Sequence, residues 1–174
     1  MVRADEPQFP DRGPELNATA GPEALFLSTL EAINGLRDDL GVVINAVNAL
    51  SADGQAGLAT QLYKVWIACN RDSPLAPAAY FNLGVVQSAA GDLAGSKESL
   101  ESALAIDPDF YPAHINLGML LEKTGAVDQG VAQWQAMVAR LAPLSGPSID
   151  YKLTAIKQIG RVLIDNRRAS LAEA

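Results

Sequence analysis

The chain has 174 residues, 49% of them apolar, and a formal net charge of −7 from 13 Lys and Arg against 20 Asp and Glu. That balance argues against a nucleic-acid surface, which needs a basic stripe to neutralise phosphates, and no apolar run approaches the length of a membrane span. One cysteine forbids an internal disulfide and suits a reducing cytoplasm.

Residues 1–21 hold Pro7, Pro10 and Pro14 among acidic and small polar residues, with no apolar period. They read as a disordered tail, and no positive start leads into an apolar run as in a secretory signal. From Pro22 to about Leu40, Phe26, Leu30, Ile33 and Leu36 share one helical face, an extra helix sealing the fold that follows. Charge is uneven: residues 1–40 carry eight acidic and three basic residues, and residues 150–174 carry three acidic and five basic.

The middle of the chain repeats itself. Asn82-Leu83-Gly84 returns after 34 residues as Asn116-Leu117-Gly118, Gly91 as Gly125 and Pro74 as Pro108, while Gly57 precedes Gly91 by the same step. Trp66 and Trp134 stand two periods apart, with Leu100 between them. A fixed period of this length marks a helical repeat, each unit burying its apolar face against its neighbours. In the unit 77–110, the first helix spans about Ala78 to Ala90, and Gly84 admits a close partner helix at roughly 1 kcal/mol of helix propensity. Gly91-Asp92 ends it through a left-handed glycine. A second helix from Leu93 to Ile106 turns Leu100, Ala103 and Leu104 inward, and Pro108 lies beyond its end. The unit 111–144 repeats the scheme, with Pro143 as its stop.

An aromatic, Leu-Gly, a turn glycine, small residues on the second helix and a closing proline together resemble the tetratricopeptide repeat. The resemblance implies an all-α, right-handed superhelical stack of antiparallel helix pairs over residues 22–174. An earlier unit, about 43–76, fits in its second helix: Trp66 takes the aromatic place, Cys69 the small, buried place and Pro74 the close. Its first helix has Ala49-Leu50 where Leu-Gly is expected. After 144, Ser148 or Asp150 caps a further helix over about 148–168, in which Ile159-Gly160 stands as another Leu-Gly pair. Its partner helix is missing before Ala174, which reads as a half-repeat cut short.

Little in the sequence points to catalysis, and no cofactor or metal is expected. His114, the one histidine, aligns with Tyr80 in a packing place. One histidine and one cysteine do not make the usual zinc ligand set, nor does a core-like histidine suggest a Ser-His-Asp triad. The glycines follow the repeat rather than a phosphate-cradling loop.

A polar ladder carries the functional signal. Asn48, Asn82 and Asn116 are spaced by the period, each just before the Leu-Gly pair or its counterpart, and Gln158 precedes Ile159-Gly160. A primary amide offers two donors and an acceptor, so it can hold the N–H and C=O of an extended peptide without reading side chains. With helices about 8–10 Å apart and a strand rise of about 3.3 Å, one rung meets roughly every third peptide residue. The other reading is that these amides bond only within the stack. Phe81 and Ile115 precede the asparagines, as Val47 precedes Asn48, and Val85 and Met119 follow by one turn, as Ser51 does, giving a mildly apolar groove. Pro112 and Ile115 stand beside Asn116 where a carboxylate clamp would place Lys or Arg.

Two longer stretches, Leu62-Tyr63-Lys64-Val65-Trp66-Ile67-Ala68-Cys69-Asn70 through Ala79-Tyr80-Phe81-Asn82-Leu83-Gly84, and Lys152 to Leu163, resemble the repeat region of bacterial SPINDLY-like protein O-GlcNAc transferases. In that family an asparagine ladder holds acceptor peptides, which the resemblance maps onto Asn48, Asn82 and Asn116, with Gln158 as a substitution. The family's glycosyltransferase domain is absent from this chain, so only recruitment transfers. Expected partners are therefore a protein or extended peptide in the concave groove, with no nucleic acid and no membrane. The competing expectation is a scaffold that self-assembles into a homo-oligomer through Leu153, Ile156 and Leu163 on the last helix.

Overall fold

A computed structural model describes residues 21–35, 39–140 and 148–172, so the tail at 1–20, Leu36 and Pro143 lie outside the described residues. Among the described residues eight helices follow one another: α1 Pro22–Gly35, α2 Leu40–Ala52, α3 Ala56–Cys69, α4 Ala76–Ala89, α5 Leu93–Ile106, α6 Tyr111–Lys123, α7 Val127–Arg140 and α8 Ser148–Ala172. The described residues contain no strand. Each of α2/α3, α4/α5 and α6/α7 is an antiparallel hairpin stacked on the next, with α1 against α2 and α3, and α8 against α6 and α7. This is an all-α helical-repeat solenoid. The first helix is shorter than the apolar pattern suggests, since Leu40 begins α2 and Asp39 caps it, its carboxylate accepting from Gly41 and Val42. At the other end Asp150 lies inside the first turn of α8 rather than before it.

Three turns fix how the hairpins correspond. Gly54, Gly91 and Gly125 hold φ of 72°, 85° and 86°, the left-handed region that glycine enters without a Cβ clash. Across each turn the same bond closes: Gln55 N–H to the Leu50 carbonyl at 2.8 Å, Asp92 to Gln87 at 2.9 Å, and Ala126 to Leu121 at 2.8 Å. The turn glycines are therefore 37 and then 34 residues apart. The period read from the sequence holds for the last two hairpins and slips by three residues in the first.

That slip reassigns several residues. Gly57 is not a turn glycine; it lies exposed inside α3. Leu50 does not stand for Gly84 and Gly118 but for Gln87 and Leu121, and all three of its class are buried. Val47 takes the glycine place. Tyr63, not Trp66, corresponds to Leu100 and Trp134, while Trp66 corresponds to Ala103 and Met137, every one of them buried. Cys69 falls with Ile106 and Arg140 and is exposed, which corrects its expected burial. Asn70 supplies the buried group there instead, its amide donating to the Trp66 carbonyl at 2.9 Å. An exposed thiol is expected to label with a maleimide in the native protein as fast as after unfolding; slow native labelling would restore the sequence-based placement.

Packing differs between the hairpins. In the third, Trp134 is fully buried, its Nε1 donates to the Ile115 carbonyl at 3.2 Å, and its indole lies flat against Gly118. In the first, Trp66 is equally buried, yet its Nε1 has no hydrogen-bond partner among the described residues. Leaving a buried donor unmet costs about 1–3 kcal/mol, and a made bond contributes about 1. Trp134→Phe is therefore expected to lower stability by about 1–2 kcal/mol more than Trp66→Phe in urea unfolding.

Burial also pushes the Tyr63 phenol up to about 12 from the usual 10. A raised phenol pKa means that the unfolded chain ionises first. The contribution to stability is intact below pH 10 and is lost as pH rises from 10 to 12. Melting temperature is expected to fall across that window, and Tyr63→Phe to flatten the fall.

Candidate functional site

The first helices of the hairpins, α2, α4 and α6, carry the residues expected from the sequence to line a groove. Asn82 and Asn116 are half-buried at matching places on α4 and α6. On α2 the turn glycine puts Asn45, not Asn48, at that place, and Asn48 one turn further on where Val85 and Met119 stand; both asparagines are exposed. Asn45 escaped the sequence reading because the fixed step of 34 lands on Asn48. The cue for it was Asp53-Gly54, a better turn pair than Gly57. Among the described residues, the amides of Asn45, Asn48, Asn82 and Asn116 make no hydrogen bond to the rest of the protein.

Gln158 differs. Its Oε1 accepts from Arg161 Nε at 3.1 Å and Nη2 at 3.0 Å, and Arg161 also pairs with Glu122 on α6 and with Asp165. The hydrogen bond that Arg161 donates to Glu122, then the charges of Glu122 and Asp165, hold the guanidinium more firmly protonated than usual. A Cβ added at Gly160 would meet nothing within 4 Å among the described residues, so the Ile159-Gly160 pair does not mark a close helix approach.

The apolar neighbours separate into two groups. Val85 and Met119 are 42% and 46% exposed and line a pocket of about 660 Å³ together with Asn116, Gly84 and Leu100. Ile115 is 8% exposed and sits in the core with Trp134, Met137, Ala155 and Val162. Phe81 is half-buried, its ring 5.6 Å from that of Phe110. A residue just before a groove position is rotated by about 100° on the helix, which turns Ile115 toward α7 and α8, as it turns Val47 into the core. Ile115 is thus removed from the groove surface, and Phe81 forms its wall at most.

His114 is buried and engaged on both ring nitrogens: Gln133 Nε2 donates to Nδ1 at 2.7 Å, and Nε2 donates to the Pro108 carbonyl at 2.9 Å. That arrangement ties α6 to α7 and to the loop before α6. Among the described residues, no group of three or more His, Cys, Asp or Glu is placed to hold a metal ion, and no helix is long and apolar enough to cross a membrane.

Comparison with solved structures gives the same architecture. The nearly identical TPR-like repeats of a Podosopora anserina putative kinesin light chain superpose with a TM-score of 0.64 at 22% identity, covering 87% of this chain and 80% of that one. MamA matches with a TM-score of 0.55 at 13% identity over 86% of this chain and 91% of that one. The first TPR of Spaghetti (RPAP3), bound to the HSP90 peptide SRMEEVD, matches with a TM-score of 0.51 at 13% identity over 68% of this chain and 94% of that one. The fold is thus of the tetratricopeptide type. No sequence-family description matches the chain, and no curated protein sequence does.

Proposed function

We propose that this chain is a protein-binding repeat module whose groove holds extended polypeptides, recruiting them for a protein O-GlcNAc transferase activity carried elsewhere. The observation that carries the reading is the row of amides on α2, α4 and α6, which make no hydrogen bond among the described residues. Each can meet a peptide bond's donor and acceptor together. A structural neighbour in complex with an HSP90 peptide supports a peptide as the ligand, and the resemblance to SPINDLY-like repeats supports the enzymatic setting. Catalysis by this chain is not part of the proposal. The cytoplasmic setting rests on the lone cysteine.

The test is a titration of a fluorescein-labelled, Ser/Thr-rich peptide of about twelve residues, long enough at ~3.3 Å per residue to cross the three helices. Asn82→Ala with Asn116→Ala is expected to weaken binding about tenfold, at roughly 0.5–1.5 kcal/mol per lost bond, with melting unchanged. Undiminished binding by the double variant would remove the ladder from the account.

A second reading has its own observation. Leu153, Ile156, Leu163 and Ile164 are 58%, 48%, 58% and 54% exposed along α8, whose buried contacts come from Ala155 and Val162. Self-association through that stripe predicts a concentration-dependent mass in sedimentation that Leu163→Asp abolishes; a monomer throughout excludes it.

A further inference from the structure

The three hairpins fill one equivalent place differently. At that place the first hairpin carries Val47 and Tyr63 in one core cluster, and the third packs Gly118 on Trp134, with both aromatics buried. The middle hairpin sets Gly84 against Leu100, whose Cγ lies 3.0 Å from where a Gly84 Cβ would be. Leucine packs on the glycine there, where the first and third hairpins carry an aromatic ring. Above that contact lies the pocket of about 660 Å³ between α4 and α6, with Val85 and Met119 as its lips and Asn116 at its edge.

Two further features give the pocket chemistry. Ser96 on α5 also lines it and is fully buried, and its hydroxyl has no hydrogen-bond partner among the described residues. In the third hairpin Gly130 occupies the corresponding place, so the hydroxyl is peculiar to this step. At the end of the pocket stand Glu122 and Lys123. Glu122 is committed to Arg161, whereas Lys123 makes no ion pair among the described residues.

We propose that this pocket receives a tyrosine or tryptophan side chain of the bound polypeptide, with an acidic residue beside it facing Lys123. The inference rests on the groove reading above and names the side-chain class that reading leaves open. The ligand's ring lies in the pocket against Leu100, Val85 and Met119, Met119 offering its thioether to the ring edge. A small rotation of Leu100 brings the Ser96 hydroxyl to the phenol or indole N–H, meeting a donor or acceptor that is otherwise unsatisfied. Asn116 holds the peptide backbone at the rim.

The experiment compares fluorescein-labelled capped peptides of sequence Ser-Gly-Tyr-Asp-Gly with versions carrying Phe or Ala for the tyrosine and Asn for the aspartate, read by anisotropy. Tyrosine is expected to bind about tenfold more tightly than alanine, a span reasonable for one buried ring, and the aspartate version better than the asparagine one at low salt only. Leu100→Trp fills the pocket from inside and is expected to bring the tyrosine peptide down to the alanine level. Should that variant fail to fold, Met119→Glu at the exposed lip is expected to do the same. Ser96→Ala is expected to erase the preference for tyrosine over phenylalanine while raising the melting temperature of the unliganded protein. If the tyrosine and alanine peptides bind alike while the Ser/Thr-rich peptide still depends on Asn82 and Asn116, the pocket inference is overturned and the groove stands. If no peptide binds, both fall.

Discussion

Gly118→Ala is expected to destabilise the protein by about 1–3 kcal/mol, while Gly84→Ala, at the matching place one repeat earlier, is expected to be close to neutral. A Cβ on Gly118 would lie 2.1 Å from Trp134 Nε1 and 2.4 Å from Cε2, far inside contact. The indole cannot swing away, because it is fully buried and its N–H is bonded to the Ile115 carbonyl. Either α6 and α7 separate or the tryptophan is displaced, and overpacking of this kind costs about 1–3 kcal/mol, with about 1 more for the lost bond. The higher helix propensity of alanine returns roughly 1 kcal/mol. At Gly84 the nearest atoms are Leu100 Cγ at 3.0 Å and the Ser96 carbonyl at 3.2 Å. Leu100 borders the open pocket and can yield by a few tenths of an ångström, so the propensity gain offsets most of the crowding. Urea unfolding of both variants decides the matter, and equal midpoints would show that the two glycines do the same job.

The contrast shows what the sequence made legible. Helix pairs, turn glycines at Gly91 and Gly125, and the Leu-Gly approach of the last two hairpins follow from residue types whose physical reasons are local. A left-handed turn needs glycine, and a crowded crossing needs a missing Cβ. The solvent-facing class of Asn82, Asn116, Val85 and Met119 follows from the same 34-residue step. What the period could not show was a shift of three residues, just under one helical turn. Such a shift keeps most apolar residues near their expected face, so Trp66 and Leu50 still look correctly placed. Only the positions at the edge of the buried stripe reveal it: Cys69 emerges into solvent, Asn70 goes under, and Asn45 rather than Asn48 lines up with the ladder. The pocket was illegible for a different reason. It arises from the pairing of Gly84 with Leu100 across a hairpin, and neither residue is unusual alone.

Leu50→Gly tests the shifted register directly, and the two alignments predict opposite signs. By the 34-residue step, Leu50 stands where Gly84 and Gly118 stand, and glycine there would restore the repeat's close crossing. By the turns, Leu50 is the residue whose carbonyl accepts from Gln55, as Gln87 accepts from Asp92 and Leu121 from Ala126. It is fully buried in the core formed by Val43, Leu62, Trp66 and their neighbours. Removing a buried leucine side chain costs about 2–5 kcal/mol through lost burial and the cavity left behind, and glycine inside a helix adds roughly 1. The expected loss is therefore about 4 kcal/mol, a large part of the total stability of a domain this size. It should appear first as lost amide protection in α1, α2 and α3, since each unit of a stack leans only on its neighbours. A midpoint unchanged or raised in urea would mean that the first hairpin keeps the period after all, returning Asn48 to the ladder and Leu50 to the crossing.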